Sequence, residues 1–250
     1  MPDPFWAALG QPGLVWLVIA AATAGVVRGF SGFGTAMVFL PVAGQVLSPV
    51  AALVALSVMD LFGPLPNVPR ALRDAHRGDV LRLCAGLVVA LPLGLLVLTS
   101  VAPEVFRYGV SVISLLLLVL LVLGWRYRGV LRAWMIYLMG MVGGFMFGAV
   151  GLPGPPVIMV YMASPLPPPV VRANLMLYLL GADALMVAFL GISGRLEVAA
   201  IWTGVVVTLP YLAGNILGGW LFQPAYERFY RWAAYAIIVV SALSGLPLLD

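Results

Sequence analysis

Apolar residues run along this chain in long continuous stretches, with neither the alternation of a half-buried strand nor the one-sided stripe of a surface helix. The stretches lie at about Leu14 to Val27, Thr35 to Val46, Val50 to Leu65, Leu83 to Ser100 and Tyr108 to Trp125. After a basic loop, Arg126 to Arg132, they resume at Trp134 to Val150, Val157 to Ala163, Val170 to Gly191, Ala199 to Phe222 and Trp232 to Leu246. Several approach the ~20 residues needed to cross a bilayer as a helix. The pattern predicts an all-α polytopic membrane protein.

Two of the runs are broken by glycine. The first break is Val27-Arg28-Gly29-Phe30-Ser31-Gly32-Phe33-Gly34-Thr35-Ala36, and the second is Gly151-Leu152-Pro153-Gly154-Pro155-Pro156. Glycine weakens a helix interior by roughly 1 kcal/mol against alanine and permits positive φ. Close helix packing is the alternative explanation of such glycines. Duplication gives the breaks further weight. Gly34 and Gly154 are 120 residues apart, as are Pro49 and Pro169; Pro92 and Pro210 are 118 apart, and Arg107 and Arg228 are 121 apart. The chain therefore divides into transmembrane repeats of about 120 residues, 1–128 and 129–250. Each holds a broken helix or hairpin plus three transmembrane helices. Internal duplication with the site between the repeats is the plan of many secondary transporters.

Composition narrows the function. Hydrophobic residues make up 63% of the chain and charged ones 9%, too apolar for a soluble fold. No basic region precedes the first run, so no cleavable signal peptide is expected. Cys84 is the single cysteine and His76, in a charged loop spanning Arg70 to Arg82, the single histidine. An internal disulfide and a cysteine-rich metal site are thereby excluded, and a histidine-based catalytic dyad or zinc centre is disfavoured. No Walker-type loop, HExxH or Ser/His set is visible, so neither ATP nor a cofactor is expected, nor an enzyme. The net charge of +4 comes from arginines. In a membrane protein that surplus reports orientation and lipid contact, and no nucleic-acid partner is implied. Counting each break as a hairpin puts the Arg70–Arg82 and Arg126–Arg132 loops and Arg228/Arg231 on one face, which makes the repeats inverted. Counting each as a single crossing makes them parallel and exports Arg228 and Arg231. The positive-inside rule favours the inverted count.

In that arrangement each break presents a helix N-terminus inward, with unpaired N–H groups and about half a positive charge. Arg28 adds a full charge; an arginine at membrane depth costs at least ~2.5 kcal/mol and should face protein or a water-filled cavity. Ser31 and Thr35 add hydroxyls. Gly32, Phe33, Gly34, Gly151, Leu152 and Gly154 would form the walls, with Pro155 and Pro156 suited to a first helical turn. Asn174 and Tyr178, one turn apart, could also line the site. Asp60 and Asp183 have two readings: proton carriers, or counter-ions for Arg28 and Arg172. For Tyr211 and Asn215, and for Phe145, Met146 and Phe147, packing is expected. The predicted ligand is a small anion, with H⁺ as candidate coupling ion.

The chain resembles the sulfite exporter TauE/SafE family of membrane transporters. Gly29-Phe30-Ser31-Gly32-Phe33-Gly34 with Pro41, and Gly148-Ala149-Val150-Gly151-Leu152-Pro153-Gly154-Pro155-Pro156, carry the resemblance, together with the two-half layout. The resemblance implies transport of sulfite, sulfonates or related organic anions across the cell (inner) membrane by a multi-pass protein. Against the family pattern, the first motif reads Gly-Phe-Gly-Thr-Ala in place of a glycine triplet, and the second is proline-rich. A passive anion channel, and an intramembrane assembly factor or enzyme, are the alternative readings.

Overall fold

A computed structural model describes residues 4–123, 131–161 and 166–246. Among these residues the chain forms twelve α-helices and no strand. The first half contains α1 (Pro4–Leu9), α2 (Leu14–Ser31), α3 (Thr35–Val46), α4 (Pro49–Phe62), α5 (Val68–Asp74), α6 (Arg77–Ser100) and α7 (Pro103–Val122). The second contains α8 (Ala133–Val150), α9 (Gly154–Tyr161), α10 (Pro168–Ile192), α11 (Val198–Leu221) and α12 (Glu227–Ser244). Six of them, α2, α6, α7, α8, α10 and α11, are long and apolar enough to cross a membrane. The expected division at 128/129, most of the Arg126–Arg132 loop, and Ser164 lie outside the described residues.

Three expectations need correction. The first break is narrower than it reads, because α2 continues through Arg28, Gly29 and Phe30 and ends only at Ser31. The stretch from Arg70 to Arg82 is not a loop: α5 and the start of α6 cover it except for Ala75 and His76. Pro69 stands in the first turn of α5, where its missing N–H costs nothing. The third concerns α4, expected to run from Val50 to Leu65. It stops at Phe62, and a 3₁₀ turn over Leu65–Asn67 follows Gly63-Pro64.

Gly29 stays helical because it is a packing residue. A Cβ there would lie 2.3 Å from the Asn215 carbonyl oxygen, and one on Gly25 2.1 Å from that of Tyr211. Gly214 and Gly218 of α11 return the contact against Ala22 and Val26. The two helices thus run in the same direction with their backbones touching. The second half repeats this arrangement: Gly140, Gly144 and Gly148 of α8 meet Leu83, Leu87 and Leu91 of α6, again in the same direction. Each half therefore packs its glycine-rich long helix on the proline-bearing helix of the other, α2 on α11 and α8 on α6. Small residues that let backbones approach are the usual membrane solution, since lipid offers no hydrophobic drive for association.

Each break turns the chain back. Gly13 at the start of α2 touches Val46 at the end of α3, and the Gln11 side chain donates to the Val46 carbonyl oxygen. In the second hairpin Gly143 of α8 faces Pro153 and Val157. The short arms α3 and α9 thus fold along the long arms α2 and α8.

Candidate functional site

Positive φ marks both turns. Gly32 (φ 78°), Gly34 (φ 96°) and Gly151 (φ 75°) adopt left-handed backbone that a side chain would strain. The Ser31 hydroxyl closes the first turn: it donates to the Val27 carbonyl oxygen at 2.6 Å and accepts from the Phe33 N–H at 3.3 Å. It is committed to the loop and does not reach the cavity.

The two turns share one cavity of about 70 Å³. Arg28, Gly32, Phe33, Gly34 and Thr35 line it from the first hairpin, and Gly151, Leu152 and Gly154 from the second. Asp60 of α4 and Asp183 of α10 complete its polar wall. Asn174 and Tyr178 do not belong to it. The Asn174 amide donates to the Tyr161 hydroxyl and its oxygen accepts from the His76 N–H, in a buried network near the start of α6. Tyr178 is fully buried, with its hydroxyl against Gly143. A larger apolar groove between α2, α3 and α12 carries no charged residue.

Arg28 organises the polar wall. Its Nη1 donates to both Asp60 carboxylate oxygens, at 3.2 and 3.1 Å, and to the Thr35 hydroxyl at 3.1 Å. Nη1 makes all the side-chain hydrogen bonds of Arg28 within the described residues, which leaves the Nη2 and Nε donors unused. The Arg28 and Asp60 side chains are only 18% and 13% exposed. Burial of such a pair is tolerable because each ion neutralises the other, whereas either alone would be costly. The counter-ion reading of Asp60 therefore describes its geometry. Asp183, 6% exposed, lies within electrostatic reach of both ions.

The hairpins differ in what they offer a ligand. Thr35, Ala36 and Met37 open α3 and line the cavity, and Val38 is the first residue there whose N–H bonds back, to Gly34. Three N–H groups stand at that helix end. In α9 the corresponding positions are Gly154, Pro155 and Pro156, and the prolines have no N–H to give. Both breaks line the cavity, as expected of two inward helix ends, but most of the free N–H groups stand at the first.

The sulfite exporter TauE/SafE family model matches residues 17–245. The chain belongs to the TauE/SafE family. A relative described as a probable sulfite/organosulfonate exporter TauE, from Cupriavidus necator, is 24% identical over 229 residues, covering 87% of this chain and 88% of its own. No solved structure matches the chain. As a TauE/SafE member it is a multi-pass helical protein of the cell membrane in a family of anion exporters. Five wall residues of this TauE/SafE cavity escape a reading of the sequence: Met37, Leu56, Phe147, Ile158 and Leu179. Phe147 sits one residue from half-buried Met146 and two from exposed Phe145, and nothing in the run distinguishes the residue that faces inward.

Proposed function

We propose that this chain is a secondary transporter of a small anion, a sulfite, sulfonate or small carboxylate, held in the shared cavity and moved by alternating access. The observation that carries the reading is the unused half of the Arg28 guanidinium. Nη2 and Nε form a planar fork suited to two oxygens of one anion, while Asp60 keeps the charge in place from Nη1. The N–H groups of Thr35, Ala36 and Met37 add donors, and the Cupriavidus relative, a probable sulfite/organosulfonate exporter, points to the same substrate class.

The halves are inverted repeats in this reading. The support is the exchange of partners: α2 runs parallel to α11 and α8 parallel to α6, while both hairpins fold back towards their own starting ends. The ends of α3 and α12 also meet, the Gln45 side chain donating to the Ser244 carbonyl oxygen. Ser100 and Gln223, at the C-terminal ends of the corresponding helices α6 and α11, would then lie on opposite faces. Cysteines placed there, in a Cys84→Ser background, should be labelled from opposite sides; labelling of both from one side would make the repeats parallel. Two carboxylates in the cavity, Asp60 and Asp183, support H⁺ as the coupling ion.

Flux of radiolabelled sulfite and methanesulfonate into proteoliposomes tests the function. Saturable uptake is expected, faster when unlabelled anion is on the other side and lost in Arg28→Ala. A conductance that neither saturates nor exchanges would make the protein a channel.

A further inference from the structure

We infer that the proton and the anion bind together, with Asp183 as the proton site and Asp60 as a permanent counter-ion, so that the chain co-transports one H⁺ with each monoanion. The inference rests on the anion site proposed above and adds the sign, the stoichiometry and the residue of the coupling.

The geometry separates the two carboxylates. Asp60 holds Nη1 of Arg28 through both of its oxygens, and that bond anchors the guanidinium across from Thr35. An anion on Nη2 and Nε does not compete with it. Asp183 approaches the same cavity from α10 and makes no ion pair among the described residues. The charged groups acting on it are Arg28 from α2 and Asp60 from α4, with the neutral Ser57 hydroxyl nearby. From α11, Tyr211 acts on Arg28 and Asp60, and from α6 the Cys84 thiol packs two residues from Asp183, against Gly181. One cation therefore faces two carboxylates, and its charge is already balanced by the nearer.

An anion entering beside an ionised Asp183 would be the third negative charge around one guanidinium, in a site with little water to screen it. Protonation of Asp183 removes that repulsion. The cavity carries −1 with Asp183 ionised, 0 once a proton is added, and −1 again when a monoanion follows. The empty ionised site and the site loaded with H⁺ plus anion thus carry the same charge, so both can change orientation under the same electrostatic conditions. The linkage has a fixed sign: each ligand raises affinity for the other. Antiport would need the opposite, a proton that displaces the anion. No covalent step is involved; the proton moves from water to an Asp183 carboxylate oxygen and leaves from it on the other side.

Methanesulfonate is the probe, because a sulfonate stays ionised over the working range and any pH dependence belongs to the protein. Calorimetry on the purified full chain between about pH 5 and pH 8 should show affinity rising about tenfold per pH unit as pH falls, until Asp183 is protonated without ligand. A pH indicator in weak buffer should report one proton taken up per anion bound, a measurement that needs no variant. Asp183→Asn should bind with an affinity that no longer varies with pH, and a pH gradient should no longer drive its uptake. Asp60→Glu, which keeps the counter-ion, should retain the slope. Proton release on binding, or binding without proton exchange in the wild type, would overturn co-transport and leave the anion site standing. No binding by the wild type at any pH, or binding unchanged in Arg28→Ala, would remove the site itself and this inference with it.

Discussion

The two hairpins are built alike, yet they bring different chemistry to the cavity they share. Both long arms use glycines to press backbone against backbone on the opposite half, and both turn on left-handed glycine. At the site they part. The first carries Arg28, Thr35 and an open helix end with N–H donors; the second has Gly148 where Arg28 would fall, 120 residues on, and prolines in its first turn. The scaffold is shared and the chemistry is not: the charge and the free N–H groups come from the first hairpin, and prolines line the second. Their anchors differ as well. The Gln45 side chain ties α3 to the last turn of α12, whereas α9 ends in a buried cluster where the Tyr161 hydroxyl donates to Asp79 at 2.7 Å and accepts from Asn174 at 3.0 Å. Arg82 completes that cluster with a bond to Asp79 at 2.8 Å.

If the scaffold is symmetric, damage to it must be symmetric. Gly29→Val and Gly148→Val both place side-chain atoms within 2.5 Å of a facing carbonyl oxygen, so the helices must separate. The cost should reach or exceed the ~3 kcal/mol upper end of ordinary overpacking. Neither variant should accumulate as folded protein on fluorescence size-exclusion chromatography, and a well-behaved Gly148→Val would break the equivalence.

Asymmetry at the site gives the next largest effect. Arg28→Ala leaves Asp60 buried without its cation, which should cost about 3–5 kcal/mol, and it removes the charge-assisted donors. Affinity for sulfite should fall about a hundredfold or more in calorimetry. Arg28→Lys keeps the charge without the planar fork and should lose about tenfold. Asp60→Asn with Arg28→Ala removes both ions together, so it should recover much of the stability in thermal melts without recovering binding.

The anchors should rank below the ions. Tyr161→Phe deletes a hydroxyl that serves two buried partners, for about 1–3 kcal/mol, and Gln45→Ala removes an exposed bond worth about 0.5–1.5 kcal/mol. Equal shifts in melting temperature would mean that the two short arms are held alike.

The smallest change concerns cavity size. Gly154 has ordinary backbone, and a Cβ there would make only ordinary contact with Leu179 and Ile158, both wall residues. Gly154→Ala should therefore fold normally, gaining a few tenths to about 1 kcal/mol, while disfavouring bulkier sulfonates against sulfite. Gly34→Ala, at φ 96°, should instead lose about 1–2 kcal/mol through strain. Competition assays with anions of increasing size would separate shape from strain.

The sequence alone determined the class of this protein and much of its cavity. Long apolar runs leave a membrane as their only solvent, and glycine and proline mark the breaks in them because backbone constraints act locally. Local chemistry likewise singles out Arg28, Gly32, Gly34, Gly151 and Gly154, since a charge or a helix break in an apolar run needs a reason wherever the rest of the chain lies. Only the tertiary structure decided which glycines turn the chain and which pack it: Gly29 and Gly32 read alike, but α11 stands against one and nothing against the other. It also decided that Asp60 belongs to Arg28, 32 residues away, and that Asn174 serves Tyr161 and His76 in place of the cavity. Phe147 became a wall residue for the same reason. Hydropathy fixes that a side chain leaves water; which neighbour it then meets depends on the angle and register of helices from the other half, and no local pattern encodes that.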